Sequence, residues 1–124
     1  MSSDKLKEVV ADSLTPRLSD AEFEAAFEGW AFIPYGDLMG VAMVKGTEFH
    51  FTPTSEFRFD RALMRKQFAP ILSQYGMVTT RVQHGDTKSR RINKLFGFKT
   101  TWADERFEYS IITALPFKEK LCQQ

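Results

Sequence analysis

Two side chains at alternate positions of one short run, Glu48 and His50, are the first candidates for chemistry. In TEFHFTP the side chains of a strand alternate, so Phe49 and Phe51 share one face and Glu48 and His50 share the other. A carboxylate and an imidazole at that spacing could take a proton from an amine. The plain alternative is that both face solvent on an open sheet, or that His50 only neighbours Glu48. Further on, Arg58, Arg61 and Arg65 stand at intervals of three and four, the spacing of one helical stripe. Arg58 and Arg61, nearest the expected helix start, could make charge-assisted bonds to an anionic ligand. Two histidines and one cysteine offer no metal-ligand spacing.

These residues need elements to hold them, and the pattern supplies them in order. Apolar positions 6, 9, 10 and 14 predict a first helix that Thr15-Pro16 ends. Ser19-Asp20-Ala21-Glu22 is a capping box opening a helix to about Glu28, with Phe23 and Phe27 inward. Trp30–Pro34, Leu38–Lys45 and Glu48–Thr52 read as a meander of strands, closed by Pro53. Phe59–Tyr75 reads as a long helix, with apolar positions 59, 63, 68, 71, 72 and 75 and a kink or break at Pro70. Met77–Gln83 is a strand parallel to its partner, because the chain returns through a helix. Asp86 or Thr87 opens the next helix, which ends before Gly97. Phe98–Trp102 and Arg106–Ala114 form a last hairpin, in which Trp102 and Tyr109 read as sheet-packing aromatics, and 117–124 is a polar tail.

With 124 residues the chain reads as one domain, 1–124, whose first part, 1–29, is helical. Twelve phenylalanines require a substantial aromatic core. Cys122 cannot form an internal disulfide, which fits a reducing compartment. No apolar run approaches a membrane span, and the first residues have no signal-peptide core. A cytoplasmic protein with no membrane partner is expected.

The net charge of +1 conceals an asymmetry. Residues 1–57 carry 4 basic and 10 acidic side chains, residues 58–99 carry 10 and 2, and the rest 3 and 4, giving −6, +8 and −1. Such a basic block can steer an anionic ligand such as a nucleotide or a cofactor phosphate. Equally, the two signs can simply neutralise each other within one domain. Nucleic acid is not the expected partner.

The order of elements from GVAMVK to the hairpin after LFGF resembles the carboxyl-terminal two-thirds of the GNAT family of acyl-CoA-dependent N-acetyltransferases. Phe51-Thr52-Pro53-Thr54-Ser55-Glu56-Phe57-Arg58 and Arg61-Ala62-Leu63-Met64 are similar to the segments flanking that family's phosphate loop. The resemblance implies an α/β fold, a twisted, mostly antiparallel mixed sheet with helices on both faces. It also implies acetyl-CoA as cofactor, with Arg58, Arg61, Ser89 and Arg90 around its phosphates and Glu48 or His50 as base. Counted back from Gly97-Phe98, the family's asparagine falls on Asp86, its small residue on Ser89 and its acid-donating tyrosine on Asn93. Two departures stand out. Only Phe59 and Asp60 occupy the place of the glycine-rich loop, and Asn93 cannot act as a general acid near neutral pH.

GVAMVKGTEFHF, the basic helix and LFGF with the following TW together look like small GNAT-fold proteins of tailed phages. Two functions follow from the resemblance. One is a phage-type GNAT-fold protein with degenerate motifs, acting in virion assembly or by binding a phage or host partner. The other is an acetyl-CoA-dependent N-acetyltransferase acting on an amine. The first would place the chain in a host cytoplasm or in a virion.

Overall fold

A computed structural model describes residues 3–115. Cys122 and the tail at 117–124 lie outside the described residues. The chain is α/β: the described residues form four helices and six strands, the strands hydrogen-bonded in the order β1-β2-β3-β4-β6-β5 as a mixed sheet. The described residues divide into two units, 3–45 with 49–58, and 46–48 with 59–115.

The first unit begins with α1 (Ser3–Ser13), whose Leu6 and Val10 are buried. In α2 (Asp20–Ala26) the Glu22 amide donates to the Ser19 hydroxyl at 3.2 Å, and the Ser19 amide donates to the Glu22 carboxylate at 2.8 Å. That is the expected capping box, although the helix stops at Ala26 with Phe27 as its cap. Phe23 is buried against Phe27, their ring centroids 4.6 Å apart. Strands β1 (Ala31–Tyr35) and β2 (Gly40–Lys45) pair antiparallel, Phe32 opposite Met43 and Tyr35 opposite Gly40. One face of the pair gives Val41 and Met43 to a core with Leu6, Val10 and Phe23. Burying each of these large side chains contributes about 1.5–3 kcal/mol.

The second strand starts later than its apolar run suggests. Residues 36–39 form a turn, in which Leu38 takes a φ of 58° and the Met39 amide donates to the Tyr35 carbonyl at 3.0 Å. Strand β3 spans Glu48–Pro53, so Pro53 is its last residue and not a stop outside it. Behind β2, Tyr35, Phe51 and Phe57 make a three-ring cluster with centroid distances of 5.2, 5.5 and 5.9 Å. Gly40 gives the Phe51 ring its room: a Cβ there would fall within 2.9 Å of three ring carbons.

The second unit holds α3 (Arg61–Tyr75), β4 (Val78–Gln83), α4 (Thr87–Leu95), β5 (Lys99–Ala103) and β6 (Phe107–Ile112). Helix α3 is unbroken across Pro70 and stops at Gly76, whose φ of 78° suits a left-handed cap. Its buried residues are Met64, Phe68 and Ile71, while Tyr75, expected inward, is 47% exposed. The first residue of β3 pairs parallel with β4, Glu48 opposite Thr79, as the helical return requires. The Thr79 amide donates to the Thr47 carbonyl at 2.7 Å and their hydroxyls lie 3.0 Å apart. β4 and β6 pair antiparallel over six register positions, putting Val78, Thr80 and Val82 opposite Ile112, Ser110 and Glu108. Phe68 meets Phe96 and Phe98 edge-on at 6.0 and 5.5 Å, closing the core between α3 and the segment after α4. β5 has the expected length but is shifted by one residue, and β6 is shorter than expected, ending at Ile112; between them the Asp104 carboxylate accepts the Phe107 amide at 2.7 Å. A bulge between Thr100 and Trp102 shifts the register of β5.

Candidate binding site

Glu48 and His50 each have a neighbour of their own. The Glu48 carboxylate lies 3.9 Å from the Arg81 guanidinium on β4. At that length, with both side chains well exposed, the pair contributes about 0–1 kcal/mol. The His50 ring lies in the first unit, 5.6 Å from the Trp30 indole by centroids.

The start of α3 is closed by its own acid. Asp60 has an extended backbone (φ −132°, ψ 114°) and its carboxylate accepts the Leu63 amide at 3.0 Å. Arg61 is the first helical residue and is exposed, whereas Arg58 precedes the cap and belongs to the first unit. Arg58 therefore does not share the helical stripe of Arg61 and Arg65, as its spacing alone suggested. Aspartate accepts at an N-cap more readily than the chain extends the helix through it, and that choice sets the boundary. The preceding segment is pinned by Thr54, whose hydroxyl donates to the Leu38 carbonyl at 2.9 Å.

Helix α4 is opened in the same way. The Asp86 carboxylate accepts the Ser89 amide at 3.0 Å, so both residues serve the cap. Beyond the cap the helix is strongly basic, with Lys88, Arg90, Arg91 and Lys94 and no acid. Arg90 reaches β6, its Nη2 2.9 Å from the Glu108 carboxylate. His84 Nδ1 is 3.6 Å from that carboxylate, and its Nε2 is 2.7 Å from the Asp104 carbonyl.

Between α4 and strands β5 and β6 lies a groove of about 590 Å³. Val82 and Phe98, both buried, give it an apolar floor. Thr100 and Ser110, hydroxyls 3.3 Å apart, stand along one side. Arg90, Arg91, Asn93 and Lys94 project from the helix, with Glu108 the one acid in the lining. The groove thus gathers two residues expected at a cofactor, Arg90 and Asn93, and neither Arg58 nor Arg61. Reading the chain alone missed Arg91, Lys94, Thr100, Glu108 and Ser110. The spacing of Arg90, Arg91 and Lys94 marks a basic helix face, but nothing local ties Glu108 to it.

The turn beside the groove is held by one carboxylate. Asp104 accepts the Phe107 amide at 2.7 Å, the Arg106 amide at 2.8 Å and the Tyr109 hydroxyl at 2.9 Å. These donors, the Phe107 amide foremost, hold the Asp104 carboxyl below its usual range, and the bond from the Tyr109 hydroxyl to Asp104 raises the Tyr109 phenol. Tyr109 in turn stacks on Trp102 at 4.5 Å and 11°, and Trp102 is 58% exposed. The two aromatics do pack on each other, but on an open face.

Among the described residues, no group of three His, Cys, Asp or Glu side chains could hold a metal ion, and no helix is long and apolar enough to cross a membrane. The chain matches no protein-family model, and no curated protein matches it significantly.

Proposed function

We propose that the chain is a GNAT-like binding protein without acetyl transfer, acting in virion assembly or by holding a phage or host partner. The observation that carries this reading is the bond from the Leu63 amide to the Asp60 carboxylate at the start of α3. In the resembled family that helix start holds a cofactor diphosphate. Here a carboxylate already takes one of the amides, and its negative charge would repel a second anion. Asn93 stands where a proton-donating tyrosine is expected, and a carboxamide does not release a proton near neutral pH.

The GNAT-like scaffold is supported by the order of elements after α2 and by the parallel step from β3 to β4. Such a protein would work in a host cytoplasm or within a virion. The competing reading is an acetyltransferase with Glu48 or His50 as base. A transfer assay separates them: the chain, acetyl-CoA and a panel of primary amines, with free thiol followed over time. No thiol above the uncatalysed rate is expected. Sustained release that falls when Glu48→Gln or His50→Ala is introduced would overturn the proposal.

A further inference from the structure

We propose that the groove between α4 and the β5–β6 hairpin binds a small organic phosphate monoester with an apolar or planar body. The inference stands on the groove's own geometry and goes beyond the reading of the chain as a binding protein. Three positive side chains line it, Arg90, Arg91 and Lys94, against one negative, Glu108, an excess of two. Arg90 is committed to Glu108 at 2.9 Å. Among the described residues, no ion pair engages Arg91 or Lys94. Two uncommitted cations beside one groove match the charge of a phosphate monoester, which is close to −2 at neutral pH.

The remaining lining says what should be attached to that phosphate. Val82 and Phe98 offer an apolar floor, while Thr100 and Ser110 offer hydroxyls that can donate or accept. Pockets for small molecules typically measure about 300–1,000 Å³ and pair an apolar surface with a few placed polar groups. At about 590 Å³ the groove has room for a ligand of nucleotide size and more than inorganic phosphate needs. The cations would hold the phosphate at the helix side, leaving the body over Val82 and Phe98.

Calorimetric titration of the full chain tests this with adenosine monophosphate and phenyl phosphate as probes and adenosine and inorganic phosphate as controls. At least one organic phosphate should saturate a single site with a Kd between about 10 μM and 1 mM, and adenosine should not. Arg91→Ala and Lys94→Ala should each weaken binding by about fivefold or more, while Lys88→Ala, on the same helix but outside the groove, changes it less than about twofold. Amide NMR shifts should move at Val82, Phe98 and Ser110, and thermal melts of the variants should match the parent. The proposal is overturned if neither organic phosphate saturates. Lys88→Ala acting as strongly as Arg91→Ala would also overturn it, since binding would then follow overall charge. Adenosine binding as tightly as its monophosphate would remove the role given to the cations.

Discussion

The Leu63 amide and the Asp60 carboxylate are joined at 3.0 Å, so the first turn of α3 carries a negative group of its own making. A helix start has four amides without intrahelical partners, and an anion or a capping side chain can take them. In this chain the side chain has taken the position. That bond caps α3, and under the function proposed above it would also disfavour an added anion there.

Asp60→Ala should destabilise the protein by about 0.5–2 kcal/mol through loss of the cap, and Asp60→Ser should recover most of it. Urea unfolding followed by far-ultraviolet circular dichroism would show this as a lower midpoint with an unchanged slope. Equal losses in both variants would mean that the carboxylate does something other than capping.

Gly40→Ala should cost about 1–3 kcal/mol, because its Cβ would enter the space held by the Phe51 ring. Phe51 is wedged between Tyr35 and Phe57 and has little freedom to retreat. Thermal unfolding is the readout. A melting temperature equal to the parent's would show that the ring moves aside cheaply.

The capping box at Ser19–Glu22 and the caps at Asp60 and Asp86 are all local chemistry, visible wherever an acid or hydroxyl precedes a helical pattern. The Asp60 cap was nonetheless passed over, because Phe59 fitted the apolar period and drew the helix back past it. Met64 and not Leu63 is among the buried residues of α3, since a stripe drawn through scattered apolar positions tolerates an error of one residue. The parallel neighbourhood of β3 and β4 was readable from the helix between them. The pairing of Arg90 with Glu108 was not, because it depends on β6 lying beside β4, which no short stretch encodes. Gly36-Asp37 marks the turn after β1 in the sequence, but its extension through Leu38 and Met39 was not readable, because a leucine with positive φ carries no turn signature.

Asp104 should make stability depend on acid in one direction. Its carboxyl is held below the ordinary value of 3.8 in the folded chain, so its contribution is complete above that value and is lost as pH falls through the lowered one. Against Asp104→Asn, the parent's advantage in urea midpoint should be constant near neutrality and shrink below pH 3.8. Glu22 shifts the same way but is common to both proteins and cancels. An advantage that stays constant down to the acid transition would remove Asp104 from the explanation.

Glu108→Gln should free Arg90 and raise the groove's excess charge, so phosphate monoesters should bind more tightly, by about two- to fivefold at low salt. Competition titrations with phenyl phosphate at two salt concentrations would register it, and the gain should shrink at the higher one. Weaker binding in this variant would place Glu108 among the groups that orient the ligand.

Whether the start of α3 still accepts the diphosphate of an acyl cofactor separates the binding protein from the acetyltransferase. Calorimetric titration of the full chain with acetyl-CoA, alongside Arg61→Ala and Arg91→Ala, measures that directly. No saturable binding up to about 1 mM that depends on Arg61 is expected; any weaker binding through the cofactor's phosphate monoester should fall about fivefold or more with Arg91→Ala and be unchanged by Arg61→Ala. Micromolar, saturable binding that Arg61→Ala abolishes and Arg91→Ala leaves intact would contradict the reading as a binding protein.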